Sequence, residues 1–277
     1  MEKKIRVTLP KRILDILTED MEEFKIKKNT LLNYIFENLK MKFSKEGFKY
    51  SGESGVVQFN LNKKNKEYYY EFLLENGIQN ESEFFREICI IYGEQSRKDR
   101  ELFLFKELVE RLKIATKEKK RIKITFQDGR ETTVEPYFLG ASKLELSNYI
   151  FCYNLDEDKW KNYKLKYVDK IYITKNKFMS RDEKFVESIR KDFDPFLSKG
   201  KKVIIKLTDN GEKIFKTIRV NRPKVLNKKE NLYELECSQE KAKRYFTFFL
   251  DEVEILEPKE LREWFRNKLK KAYEQYK

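Results

Sequence analysis

Lys4, Arg6 and Thr8 stand at alternate positions in KKIRVTLP, with Ile5, Val7 and Leu9 between them. On a strand, that spacing puts the hydrogen-bonding side chains on one face and the apolar ones on the other. Arginine and lysine donate to guanine acceptors, and threonine serves as donor or acceptor, so the row carries the chemistry of base-edge recognition. A second row, Val56, Gln58 and Asn60, alternates with Val57, Phe59 and Leu61. It has no charge and reads as a weaker partner of the first. A third group lies further along the chain: Tyr137, Tyr149, Tyr153, Tyr163 and Tyr167, interleaved with Lys164 and Lys166. Aromatic rings beside lysines suit base stacking next to phosphate charge. In a small sheet, however, many such rings belong to the core.

Other chemistries are missing from the residue list. The 277 residues include no histidine, which removes the commonest general base and metal ligand. Cys89, Cys152 and Cys237 are isolated, with no CxxC pair, which predicts free buried thiols rather than a zinc site or disulfide framework. There is no GxxxxGK[ST], GxGxxG or GxSxG pattern. Asp156 and Asp158 fall in a turn-like DEDK stretch and read as solvated loop charges. The expectation is a protein that is not an enzyme and needs no metal or cofactor. Lys and Arg (61) outnumber Asp and Glu (47), for a net charge of +14, which points to a polyanionic partner. No apolar run approaches the roughly 20 residues of a membrane span, and MEKKIRVTLPKR has no signal-peptide pattern, so no membrane and a cytoplasmic location are expected.

The elements that must carry these residues are legible in the periodicity. After the strand at 4–9, Pro10 ends the ladder and opens a helix through Ile13, Ile16, Leu17, Met21 and Phe24. Asn29 is the expected cap of a second helix bearing Leu31, Leu32, Ile35, Phe36 and Leu39. The same strand–helix–helix order recurs from Val56, at offsets of 52 and 53 residues, with Asn80 and Glu83 as a capping box. We therefore read residues 1–43 and 55–96 as an internal duplication, with 41–55 as linker and 97–120 as a connecting helix. A lone strand cannot satisfy its own backbone edge, so each unit needs a second strand. The order resembles the ribbon-helix-helix family of DNA-binding proteins. That resemblance implies that Lys4, Arg6 and Thr8, with Gln58 and Asn60 from the second copy, face the major groove.

From Arg121 the pattern changes to short strands, including RIKITF, a turn at Asp128-Gly129, TTVEPYFLG and SNYIFCYN. Glu135-Pro136-Tyr137, Asn148-Tyr149-Ile150 with Phe151 to Asn154, and Tyr163-Lys164-Leu165-Lys166 through Ile171 resemble the WYL domain, a small antiparallel barrel of the Sm/SH3 type. Here Asn148 stands where that family has Trp, Ile150 where it has Leu, and Lys164 where it has Arg, which exchanges a bidentate fork for a point charge. The family implies a ligand or RNA site at Tyr137, Tyr149, Tyr153, Tyr163, Lys164 and Lys166. Residues 201–277 resemble the extension that follows WYL domains, carried by VEILEPKELREWF. The expected class is α+β: tandem ribbon-helix-helix (1–96), WYL barrel (121–179), a helix and linker (180–200) with Ser180 and Glu183 as its capping box, and an α/β extension. This domain order resembles the WYL accessory proteins of type VI-D CRISPR systems. It implies a regulator that binds single-stranded RNA and modulates an RNA-guided effector ribonuclease. The alternative is a ligand-responsive transcription regulator that reads duplex DNA. A homodimer is expected through the final helix, with Leu261, Trp264, Phe265, Leu269 and Tyr276 as its contact.

Overall fold

A computed structural model describes residues 3–43, 52–142 and 144–277. Two compact units divide the chain, Met1–Val109 and Glu110–Lys277.

In the first unit, β1 (Lys4–Pro10) pairs antiparallel with β2 (Ser54–Asn60) in a two-stranded sheet. The register sets Lys4 opposite Asn60, Arg6 opposite Gln58 and Thr8 opposite Val56. The apolar phase turns inward, so Ile5, Val7, Leu9 and Phe59 are buried. α1 (Lys11–Phe24) starts directly after Pro10, and α2 is Lys28–Leu39. The second copy supplies α3 (Lys63–Glu75) and α4 (Glu81–Gly93). Asn80 caps α4, its side chain accepting from the Glu83 amide at 3.1 Å. In α2 the cap position falls on Lys27 without a side-chain bond, and the expected cap Asn29 lies inside the first turn. The expected linker begins with a 3-10 turn at Lys40–Lys42, and its end, Ser54 and Gly55, already belongs to β2. Residues 44–51 lie outside the described residues. The expected connecting helix is broken at Phe105 into α5 (Arg97–Leu104) and α6 (Lys106–Lys117). α5 buries Arg100 and Glu101, not an apolar stripe.

The second unit holds two sheets. β3 (Lys120–Phe126), β4 (Glu131–Ser142), β5 (Ser147–Asn154), β6 (Lys159–Lys164) and β7 (Val168–Lys177) form a five-stranded sheet in the order β6-β5-β4-β3-β7, every pair antiparallel. Gly129 supplies the positive φ, 83°, that the Asp128-Gly129 turn needs. α7 (Glu183–Lys191) packs Val186 and Ile189 against Tyr137, Phe138 and Phe151. Its cap is Asp182, not Ser180, because the Asp182 carboxylate accepts from the Phe185 amide at 2.9 Å.

The remaining elements run β8 (Lys202–Leu207), α8 (Asp209–Thr217), β9 (Lys224–Lys229), β10 (Leu232–Glu236), α9 (Gln239–Phe246), β11 (Val253–Glu257) and α10 (Lys259–Gln275). The sheet order is β11-β8-β10-β9, a split β–α–β arrangement. The α8 crossover returns β9 parallel to β8, but β10 inserts between them, so every neighbouring pair is antiparallel. The expected α/β extension is thus itself α+β, as is the chain.

Candidate nucleic-acid interface

The outer face of the β1–β2 ribbon is polar because its inner face is not. Lys4, Arg6 and Thr8 are exposed, Gln58 and Asn60 are half-buried, and Val56 is the apolar exception at 50% exposure. Neighbouring cations are engaged: Lys3 with Glu81 at 2.9 Å, Lys11 with Asp15 at 2.9 Å, and Lys64 with Glu37. Among the described residues, Lys4 and Arg6 form no ion pair, so their donors point to solvent without a protein acceptor.

Two devices fix the ribbon's backbone. Arg86 on α4 donates from Nε to the Thr8 carbonyl at 2.9 Å. At the other end, Asn33 Nδ2 donates to the carbonyls of Asn29 (2.7 Å) and Asn60 (2.8 Å), while its Oδ1 accepts from the Asn62 amide at 2.8 Å and from Asn65 Nδ2 at 3.0 Å. This asparagine cluster joins α2, β2 and α3 and is satisfied in the interior, where unpaired polar groups are costly.

The tyrosine–lysine group of the five-stranded sheet is not one surface. Tyr137 and Tyr149 are buried, at 7% and 4% exposure. Tyr163 turns inward, its hydroxyl accepting from Asn154 Nδ2 at 2.6 Å, and burial pushes that phenol up to about 12. Tyr153 is half-buried under the Arg181 guanidinium, 3.7 Å from its ring centre, and donates to Asp158 at 2.6 Å. Lys164 reaches Glu145 at 3.0 Å, and Lys166 sits 5.1 Å from the ring centre of Tyr167. The exposed rings are Tyr167 and Tyr172, at 51% and 64%. Tyr172 lies across from Lys123 with exposed Lys170 nearby on β7. Sequence reading passed over Tyr172, although its alternation with Ile171 and Ile173 signals an outward ring.

Two buried carboxylates organise cations in this unit and were not foreseen. Glu135, 2% exposed, accepts from Arg121 Nη2 at 3.0 Å and Arg181 Nε at 2.7 Å. Glu145 accepts from Lys164, Arg244 and Tyr149. No group of three His, Cys, Asp or Glu side chains among the described residues is arranged to hold a metal. All three thiols are free and buried, and desolvation pushes Cys89 and Cys237 up to about 12. Among the described residues, no helix is long and apolar enough to cross a membrane.

An α+β protein with an intrachain two-stranded ribbon and two antiparallel sheets is therefore the class that fold and surface define. In fold it is similar to a protein solved as a CRISPR Cas-related protein, with a TM-score of 0.72 over 100% of this chain and 94% of that one, at 13% identity. A chain of proteasome accessory factor B/C (PafBC) of Arthrobacter aurescens aligns with 95% of this chain and 49% of its own length, at 15% identity and a TM-score of 0.32. The first likeness establishes a shared fold; the second is too distant to do so. No family model matches the chain, and no curated protein matches it in sequence.

Proposed function

We propose that this protein is a non-enzymatic, nucleic-acid-binding regulator associated with a CRISPR system, and that the β1–β2 ribbon is its binding face. The carrying observation is the row of solvent-facing donors, Lys4 and Arg6 on β1 opposite Asn60 and Gln58 on β2. A two-stranded ribbon fits the major groove of B-DNA, whereas the deep, narrow major groove of A-form RNA excludes it. The duplicated strand–helix–helix order supports the ribbon-helix-helix reading. Both strands come from one chain and differ in sequence, so the ribbon reads an asymmetric site, with guanine favoured under Arg6 and Lys4 and adenine under Gln58 and Asn60. For the second unit, the register shift between Pro136 and Phe138 and the following split β–α–β sheet support a WYL barrel with its extension. The fold shared with a CRISPR Cas-related protein supports the association with such a system. A cytoplasmic, homodimeric protein completes the reading.

A second reading is a type VI-D-like accessory protein that binds single-stranded RNA and modulates an RNA-guided ribonuclease. The exposure of Tyr167 and Tyr172 beside Lys170 and Lys123 favours it, because sequence-tolerant stacking needs open rings. Competition between labelled duplex DNA and single-stranded RNA at one fixed salt concentration separates the two. On the ribbon reading, Arg6→Ala costs about 1–3 kcal/mol on a preferred duplex and leaves RNA binding unchanged. On the RNA reading, Tyr172→Ala and Tyr167→Ala weaken RNA binding and Arg6→Ala does not. Absence of binding to either polymer at low salt sinks both.

A further inference from the structure

Val225 on β9 is more open than its register requires. It stands directly opposite Leu235 of β10, which is fully buried, so both side chains belong to the core-facing side of the sheet. Yet Val225 is 41% exposed. On that side a cleft of about 500 Å³ is lined from α8, β9 and β10, with the rings of Phe215 and Tyr233 behind Val225. β9 is also an edge strand. It is bonded to β10 alone, and in an antiparallel ladder every second residue turns its amide and carbonyl away from the partner. All six residues of β9 are exposed, so those groups face solvent. The opposite edge is different: β11 buries Val253 and Ile255 in the core.

The charge along this edge has one sign in excess. Lys216, Arg222, Lys224 and Lys228 ring the cleft, and Lys229 ends the strand. The carboxylates that meet them are Glu212, 2.9 Å from Lys228 and 3.8 Å from Lys216, and Glu236, 3.9 Å from Lys224. Arg222 donates instead to the carbonyls of Phe215 at 3.3 Å and Lys216 at 3.4 Å. Five cations thus meet two carboxylates, and positive charge is left over.

Backbone, charge and cleft together select the occupant. A nucleic acid would answer the charge but has no ladder for the free amides, and Phe215 and Tyr233, at 5% and 4% exposure, show no open face for base stacking. A second copy of β9 would set lysine against lysine. Lysines and a bulge, here at Leu226, are how a strand edge refuses its own kind. An acidic strand is drawn in by the same lysines, completes the ladder, and carries alternate side chains to the core-facing side. We propose that β9 is the docking edge for an extended acidic segment of a partner protein, which pairs with it as an added strand and seats an apolar side chain over Val225. The site lies wholly in the second unit and does not depend on what the ribbon binds.

The test is fluorescence anisotropy with the full chain and a fluorescein-labelled heptapeptide that alternates glutamate with valine. The peptide binds, and the same peptide with lysine in place of glutamate does not. Methylating alternate backbone amides keeps the charge and side chains but removes the ladder, and weakens binding by about tenfold or more. Lys224→Glu combined with Lys229→Glu weakens it by about tenfold or more while the thermal transition stays in place. Arg6→Ala leaves peptide binding unchanged. Equal binding of the methylated peptide would reduce the interaction to charge alone and overturn the proposal. Weakening by Arg6→Ala would place the peptide on the ribbon and overturn it as well. A dimer that dissociates in the double variant, read by light scattering, would assign the edge to a second copy instead. Should the double variant fail to fold, the two peptides on the wild-type chain still decide the matter.

Discussion

At the scale of the residue, buried charges matter more than their number suggests. Asp20 on α1 and Arg100 on α5 are 2% and 7% exposed, and the pair is bidentate, with Arg100 Nε at 2.6 Å from Oδ2 and Nη2 at 3.1 Å from Oδ1. Tyr92 adds a hydroxyl at 2.6 Å and the Gln95 carbonyl accepts from Arg100 at 2.8 Å. Removing one partner strands the other in the interior, so Asp20→Ala should lower stability by about 3–5 kcal/mol in urea unfolding. Replacing both partners with Leu and Met should cost far less; equal losses would mean that the charge pair is not the cause. Glu145 makes a prediction with pH. Burial alone would raise its carboxyl, but the hydrogen bonds from Tyr149 and Lys164 and the charges of Lys164 and Arg244 outweigh it and hold it below the ordinary value of 4.5. A depressed carboxyl stabilises the fold fully above its unfolded value and loses that contribution as pH falls through the folded one. The wild-type chain should therefore lose more stability than Glu145→Gln between about pH 5 and 3, as read by thermal unfolding across that window. Neither cluster was legible in the sequence. Asp20 and Arg100 are 80 residues apart, and nothing in local spacing tells a buried charge from a solvated one.

At the scale of the element, the sequence was most legible where one periodicity meets one buried face. Ile5, Val7 and Leu9 are buried at 1%, 1% and 0%, as strict alternation requires, and Lys4, Arg6 and Thr8 face out for the same reason. The tyrosines were least legible because β5 is covered on both faces, so Asn148 to Cys152 are all buried and alternation carries no information there. The break at Phe105 was hidden because Leu102, Phe105, Leu108 and Leu112 continue a helical spacing across it, while α5 buries charge instead. Gly211 supplies a direct contest between propensity and packing. It lies in the first turn of α8, and its amide donates to the cap hydroxyl of Thr208 at 3.0 Å. Helix propensity favours alanine there by up to about 1 kcal/mol. Yet a Cβ at Gly211 would lie 2.3 Å from the carbonyl oxygen of Glu252, a backbone atom that cannot turn aside. Packing should win, and Gly211→Ala should destabilise the protein by about 1–3 kcal/mol. A raised melting temperature would show that the 3-10 segment at Thr247–Glu252 yields instead.

At the scale of the whole molecule, the β1–β2 pairing bears on assembly. A strand that needs a partner can take it from a second chain, but here residues 4–10 pair with residues 54–60 of the same chain. The ribbon is complete in a monomer, so a homodimer has to use other surfaces. On α10, Leu261 and Phe265 are already buried and Trp264 packs on the same core, which leaves Leu269, Tyr273 and Tyr276 at 42%, 64% and 91% exposure for that role. A ribbon fragment has to extend beyond residue 96, because Arg97 and Arg100 compensate Glu23 and Asp20. Residues 1–109 satisfy that condition and form one compact unit. This fragment should therefore be monomeric by light scattering and should still bind duplex DNA. Its log affinity should fall linearly with log salt, with a slope of about −0.9 per phosphate contacted. Lys4→Ala and Arg6→Ala, which remove base-edge donors, should each weaken binding to a preferred duplex by about 1–3 kcal/mol and relax its sequence preference while leaving that slope nearly unchanged. A dimeric fragment would mean that β1 and β2 exchange between chains, and a slope made shallower by a full phosphate contact would make Lys4 and Arg6 backbone contacts instead of base readers.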